Sequence, residues 1–468
     1  MHALSLSRRQ LLSQAAVGFG ALALSSLLAE ESRGAEQNPL AAKPGHFPAR
    51  AKRIIFLFMK GGPSHVDTFD PKPLLDRDDG KPFPLEKPRV QFAATGNLLK
   101  SPWKFEQHGE SGLWASELFP HVAGCVDDLC MLHSVHGTNP AHGGALLKLH
   151  TGSDNFVRPS IGSWVSYGLG TENADLPAFV TICPTLAHGG INNWGAAFLP
   201  AVYQGMPLGN ASVPAKQAQV RYIANERFPK DLQRLQLDLL AKANREHLEQ
   251  SGPEASLEAR INSFELAFRM QTALPQVEDL SQETQSTEQL YGMDDPVTAN
   301  FGRMCLLARR FSEQGARFVQ VTHSNSAVQW DQHSDLKAGH EKNAREVDKP
   351  IAGLLKDLKA RGLLEDTLVW WGGEFGRTPV AEGKNGRDHN PEGFTMWLAG
   401  GGVKGGMRYG ATDDYGYYAA IDKMHIHDLH ATILHLMGLD HERLTYRYAG
   451  RDFRLTDVEG NVVKQIIA

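Results

Sequence analysis

An α/β fold built on a mainly parallel central sheet, with a helical insertion, is what this sequence predicts. Three observations carry the prediction. Continuous apolar runs of six or so residues end in Gly, His or acidic residues at Arg53–Lys60, Arg317–His323, Thr367–Glu374 and Phe394–Gly400, the pattern of strands buried on both faces. A helical repeat over Val347–Gly362 joins the second run to the third by short connections, the order of a β-α-β unit. Finally, 41% hydrophobic and 22% charged residues over 468 positions supply enough apolar material for a large core.

Taken in chain order, the first element is an address. Ser7-Arg8-Arg9-Gln10-Leu11-Leu12 precedes the small-residue apolar run Ala15 to Ala29, with Gly34 and Ala35 after it. Charged head, apolar centre and small-residue cleavage region in that order read as an export signal over residues 1–35. The paired arginines give it a twin-arginine character, which implies a periplasmic or extracellular destination. A membrane anchor is the competing reading, and the run is short of the roughly 20 residues a span requires. No other stretch is apolar for that length, so the mature chain is expected to carry no membrane span. In an oxidising compartment Cys125 and Cys130 either pair or stay as buried thiols.

Residues 50–468 are expected to form one domain. Ile54 to Met59 reads as the first buried strand, opening onto Lys60-Gly61-Gly62-Pro63-Ser64-His65-Val66-Asp67. The helical insertion is expected at about residues 225–290. Leu, Gln, Glu, Lys and Arg dominate there, Leu232, Leu235, Leu239 and Leu240 share one helical face, and Gln276 to Gln289 reads as an exposed linker. In Val347–Gly362, Ile351, Leu354, Leu355 and Leu358 recur at helical spacing and Gly362 is the stop signal.

Ligands of an open α/β sheet gather at the carboxyl ends of its strands, so the residues just past each apolar run are the candidates for chemistry. They are His65 and Asp67; His323 with Asp331 and His333; Glu374; and Arg387-Asp388-His389. Imidazole and carboxylate ligands from separate strands suit a divalent cation, and four scattered cysteines leave no thiolate site. The expected metal ligands are therefore His65, Asp67, Asp331, His333, Glu374 and His389, for zinc, calcium, magnesium or manganese. Arg377 and Arg387 suit bidentate recognition of an anion. Gly143 and Gly144 open the backbone at a helix start. With 48 Lys and Arg against 53 Asp and Glu, net charge −5, no broad basic surface for nucleic acid is expected.

The run Asp348 to Gly376, ending Trp370-Trp371-Gly372-Gly373-Glu374-Phe375-Gly376, resembles the helix and strand that lead to the Asp-His-Gly motif of sulfatases and the alkaline phosphatase superfamily. His389 before Phe394-Thr-Met-Trp-Leu-Ala-Gly-Gly-Gly resembles the superfamily's late histidine. Asp331-Gln332-His333 takes the place of its earlier Asp and His pair. More narrowly, Gly61 to Pro71, Arg158 to Trp164 and Gly373 to Pro379 resemble the exported family called domain of unknown function 1501. The resemblance implies a three-layer alkaline-phosphatase-like fold and an exported metal-dependent hydrolase of sulfate or phosphate esters. Its substrate would be an anionic ester or glycan.

The departures are specific. No cysteine lies in the Cys-x-Pro/Ser/Ala-x-Arg context that sulfatases convert to formylglycine. The segment Thr138-Asn139-Pro140-Ala141-His142 resembles that nucleophile region, with Thr138 in the cysteine's place and His142 in the arginine's; Ser134 is the alternative nucleophile, with His142 as its base. Lys60 stands where the superfamily supplies an aspartate ligand, and Phe375 replaces a ligand histidine. These gaps also support the alternative of a catalytically inactive exported binding or accessory protein on the same fold.

Overall fold

The computed structural model describes residues 39–86, 94–221, 223–225, 227–252, 255–324 and 329–468. The expected export signal lies outside them. A nine-stranded sheet runs through the molecule. Eight of its strands form a path: Met407–Tyr409, Leu129–His136, Phe394–Ala399, Thr367–Gly372, Arg53–Met59, Phe318–His323, Phe179–Ile182 and Met206–Leu208. Met424–His425 pairs to the side of Leu129–His136. In chain order these are β1 (Arg53–Met59), β2 (Leu129–His136), β3 (Phe179–Ile182), β4 (Met206–Leu208), β5 (Phe318–His323), β6 (Thr367–Gly372), β7 (Phe394–Ala399), β8 (Met407–Tyr409) and β9 (Met424–His425).

β1 pairs in parallel with β5 and β6, and β3 with β4 and β5. β7 alone runs antiparallel to both of its neighbours. Its start, not its end, therefore lies at the carboxyl edge of the parallel strands, and residues 387–391 reach that edge from upstream. This is where the reading of four equivalent apolar runs needs correction.

Both faces of the sheet are covered, as near-continuous apolar strands demand. Phe56 stacks on Trp370 at 3.7 Å and meets His150 of helix α1 (His142–Thr151). Trp371 turns the other way, against Phe69, Phe119 and Trp397. On that side Asp348 of the long helix Leu336–Ala360 accepts hydrogen bonds from the backbone of His121 and Val122. The architecture is α/β, with helices flanking a large, mostly parallel sheet.

The insertion is helical, with Lys230–Ser251 and Ala255–Glu278 joined by the Arg234–Glu265 ion pair at 2.7 Å. Its leucine stripe does not enter the core. Leu232, Leu235, Leu239 and Leu240 are 38–61% exposed. The expected linker is partly helical as well, since the second helix continues through Pro275 and Gln285–Leu290 adds a short turn capped by Thr284. No helix among the described residues is long and apolar enough to cross a membrane. Cys125 and Cys130 are separate buried thiols.

Candidate metal centre

A short hairpin that the apolar pattern does not reveal, Gly376–Glu382 and Gly386–Asn390, belongs to a second, three-stranded sheet. Its register puts Arg377 opposite His389 and slips between Arg377 and Ala381. Such irregularities re-aim side chains near functional sites. Gly386 lets the hairpin press on the loop after β5, because a Cβ there would stand on the His333 carbonyl. Arg387 N–H then donates to Gln332 O at 3.1 Å. At the end of β1, Gly61 adopts φ +106°, and a side chain there would strike the backbone nitrogens of Trp330 and Asp331.

These contacts bring together His142, the first residue of α1; Asp331 and His333, from the loop after β5; and His389, from the hairpin. Asp331 is the hub. His142 Nε2 lies 3.0 Å from its Oδ2, and His333 Nε2 and His389 Nε2 each lie 2.9 Å from its Oδ1. The last two nitrogens are 3.1 Å apart. With Ala141, Gly143, His188 and Glu382 they line a cavity of about 490 Å³.

The outward nitrogen of each imidazole is held. His142 Nδ1 donates to Glu374 Oε1 at 2.8 Å, His389 Nδ1 to the Pro140 carbonyl at 2.6 Å, and His333 Nδ1 to Glu382. A carbonyl can only accept, so His389 carries a proton on Nδ1. Glu374 and Glu382 accept from Nδ1 of the other two. Three Nε2 atoms therefore crowd one carboxylate, with either protons or a cation between them. Two further details fit a metal ion. His142 Nε2, though 3.0 Å from Asp331, makes no aligned hydrogen bond. Asp388 Oδ2, beside His333 and His389, is buried without a partner among the described residues. Ligands around an ion bound at 2.0–2.1 Å stand about 3.3 Å apart in tetrahedral geometry, close to the separations here. Imidazoles backed by carboxylate or carbonyl acceptors are the usual surroundings of a metal-ligating histidine.

Without an ion, His142 and His333 favour the protonated form. Burial opposes charge on His142, but Asp331 and Glu374 outweigh it and raise its pKa; Asp331 and Glu382 do the same for His333. Burial pushes His389 down to about 4. Asp331 is held far below the carboxylate range: burial works against this, and the three histidines and Arg377 overcome it.

The expected residues thus divide. Asp331, His333 and His389 converge, and His142, expected as a base, stands with them. Glu374, expected as a ligand, lies behind His142 instead, fully buried, with its carboxylate also accepting from Gly61 N–H at 3.0 and 3.1 Å. His65 and Asp67 do not join: His65 Nε2 donates to Gly416 O at 2.7 Å, and Asp67 is paired with Arg387 at 2.6 Å. Neither arginine is offered to a ligand. Arg387 is wholly buried between Asp67, Thr378 O and Leu99 O, and Arg377 donates to Gly61 O, Gly62 O and Asp331. Thr138 donates to Asp154 on the surface, and Ser134 to Asp422 O; neither lines the cavity. Gly143 does line it, while Gly144 packs on Asn139. His323 is a packing residue, accepting from Trp330 Nε1 and donating to Glu346. A larger cleft of about 1280 Å³, lined in part by Asp70, Lys72, Trp103 and Arg408, shares no residue with this site.

His188 escaped the sequence reading. Its ring stacks on His142 at 4.8 Å and 4°, at a backbone φ of +52° that non-glycine residues adopt mainly where function or a tight loop requires it. Burial, then the charges of His142 and Lys60, lower its pKa. The available signal was His188-Gly189-Gly190 a few residues past strand Phe179–Ile182, the same strand-end grammar as the other clusters. Lys60 itself is buried at the end of β1.

Solved structures to which the chain is similar include PsFucS1 sulfatase from Pseudoalteromonas sp., at 14% identity over 84% of this chain and 68% of that one, TM-score 0.36. They include the lipoteichoic acid synthase LtaP from Listeria monocytogenes, at 12% identity over 90% and 79%, TM-score 0.34. A TAB5 alkaline phosphatase variant with bound Mg matches at 9% identity over 84% and 99%, TM-score 0.36. No curated protein matches the chain. The family match covers residues 51–467, nearly the whole of the described molecule, and by it the chain belongs to the family described as Protein of unknown function (DUF1501).

Proposed function

We propose that the chain is an exported metal-dependent hydrolase of sulfate or phosphate esters, in which His142, Asp331, His333 and His389 hold one divalent ion. One observation carries the reading: three imidazole Nε2 atoms, each with its Nδ1 held by Glu374, Glu382 or the Pro140 carbonyl, face the Asp331 carboxylate at 2.9–3.0 Å. Three imidazoles and a carboxylate suit zinc and its neighbours better than calcium or magnesium, which take oxygen ligands. Bound there, such an ion would polarise an ester oxygen or lower the pKa of water by expanding to a fifth coordination position.

The chain's own residues have the remaining tasks. Glu374, Glu382 and the Pro140 carbonyl orient the three imidazoles, and Arg377 balances part of the charge of Asp331. His188 lines the cavity, and its ring makes no hydrogen bond among the described residues. We assign it proton transfer, to or from the attacking water or the leaving group. Water is the nucleophile in this reading, because Thr138 is engaged with Asp154. Arg377 and Arg387 are committed elsewhere, and buried Lys60 is close enough for its charge to lower the pKa of His188 after burial and His142. Export rests on the signal-like residues 1–35.

A second reading, an exported binding or accessory protein, is favoured by the lack of any Ser, Thr or Cys among the described residues that line the cavity. The discriminating experiment is turnover of aryl sulfates and of aryl phosphate mono- and diesters by zinc-loaded protein, beside Asp331→Asn. Turnover lost in that variant supports the hydrolase. A tightly bound ion with no turnover on any ester leaves the binding protein.

A further inference from the structure

Helix α1 carries His142 at its first residue and ends at Gly152, ten residues and about 15 Å away. A second group of donors gathers at that far end. His427, buried at 3% exposure near the start of helix Ile426–Leu436, donates from Nε2 to the Gly152 carbonyl at 2.6 Å. The carbonyl requires a proton on Nε2 and leaves Nδ1 as the nitrogen for any further ligand. Nδ1 lies 2.6 Å from Glu459 Oε2. His425 Nδ1, which accepts the His427 backbone N–H at 3.3 Å and so also carries a lone pair, lies 3.5 Å from the same oxygen. His136 closes one side, with its ring edge-on to His425 at 5.1 Å.

Two imidazole nitrogens and a carboxylate oxygen converge here, on residues from two different parts of the chain, each close enough to share one cation. We propose that His425, His427 and Glu459 form a second metal site, for a zinc-class divalent ion, that ties the C-terminal segment to the helix beginning at Ile426 and, through Gly152, to the end of α1. Two imidazoles and a carboxylate are a common zinc set, with water as the fourth ligand. The buried carbonyl behind His427 is the outer partner such a ligand requires. Ligands of one ion stand about 3.3 Å apart, so Glu459 swings outward by ~0.7 Å on binding. It is free to do so, because its side chain is 57% exposed. The alternative occupant is a proton, which makes His427 an imidazolium paired with Glu459. Burial, then the charges of His427, His136 and Lys148, lower the pKa of His425.

The test is zinc titration of the metal-free full chain, with the bound ion counted in wild type, Asp331→Asn, Glu459→Gln and the double variant. Glu459 is exposed, so its amide variant keeps the fold. The expected result is two equivalents in wild type, one in each single variant and none in the double. In Asp331→Asn, zinc still raises the melting temperature, and adding Glu459→Gln abolishes that rise. Glu459→Gln binding as many equivalents as wild type overturns the proposal and leaves the proton as occupant. The first site fails separately, if Asp331→Asn loses nothing while Glu459→Gln loses one.

Discussion

Replacing Glu374 by Gln removes one charge and changes almost no volume, which makes it the sharpest probe of how the proposed metal centre is supported. Both carboxylate oxygens accept from Gly61 N–H, at 3.0 and 3.1 Å, and Oε1 also accepts from His142 Nδ1 at 2.8 Å. A glutamine has one acceptor. If its oxygen faces His142, its amide hydrogens meet the Gly61 N–H, donor against donor. If it is flipped, the amide drives the His142 proton onto Nε2 and removes the lone pair aimed at Asp331. Either arrangement loses a charge-assisted hydrogen bond of about 1.5–3 kcal/mol. Outer partners of metal ligands typically change affinity by about 10–100-fold, or roughly 1.4–2.7 kcal/mol. Competition with a calibrated zinc chelator should therefore show a 10–100-fold weaker first site in Glu374→Gln. Asp331→Asn should abolish it. Unchanged affinity would refute the supporting role of Glu374. Complete loss, equal to that of Asp331→Asn, would make Glu374 a direct ligand, as the superfamily resemblance implies, and refute its position behind His142.

Three other predictions follow from the same contacts. Arg387→Met strands the buried Asp67 carboxylate and should cost about 3–5 kcal/mol in urea unfolding, whereas Arg387→Met with Asp67→Leu should recover much of it; an exposed pair would show neither effect. His188→Gln should lower kcat by about 100-fold or more with KM and zinc affinity little changed, while Thr138→Ala should alter none of the three; a severe kcat loss in Thr138→Ala would restore it as nucleophile. In the metal-free protein the raised pKa values of His142 and His333 keep both protonated at and below about pH 6.5, the unperturbed value. Metal must displace those protons, so affinity should rise with pH. Calorimetry in buffers of different ionisation heat should count about two protons released per ion near pH 6, falling toward none above the raised values, with His389 contributing none because it is already neutral.

Much of this architecture was legible because buried parallel strands announce themselves. The runs at Ile54, Phe318 and Leu368 pair side by side in the sheet, and the residues just past them supply Asp331 and His333. What escaped depends on partners distant in the chain. Strand direction has no local signature, so the reversal of Phe394–Ala399 was invisible. The hairpin Gly376–Asn390 is polar and buried by ion pairs rather than by apolar alternation, so it read as loop. An arginine in a strand-end loop looks like an anion clamp until its acceptors are known. For Arg377 and Arg387 those are carbonyls and carboxylates from residues 61, 62, 67, 99, 331, 378 and 387. His142 and Glu374 exchanged roles for a related reason: spacing identifies a donor, but only the fold says which one faces the cavity. The leucines of the insertion show the converse, a helical stripe that periodicity assigns to a core and the structure leaves exposed.

Whether His142, Asp331, His333 and His389 surround a metal ion is decided by anomalous scattering from a crystal grown with zinc, recorded on both sides of the zinc edge. A peak is expected about 2.0–2.2 Å from the three Nε2 atoms and an Asp331 oxygen. Well-ordered rings with no peak there, and with His333 and His389 still joined by a hydrogen bond, would contradict it.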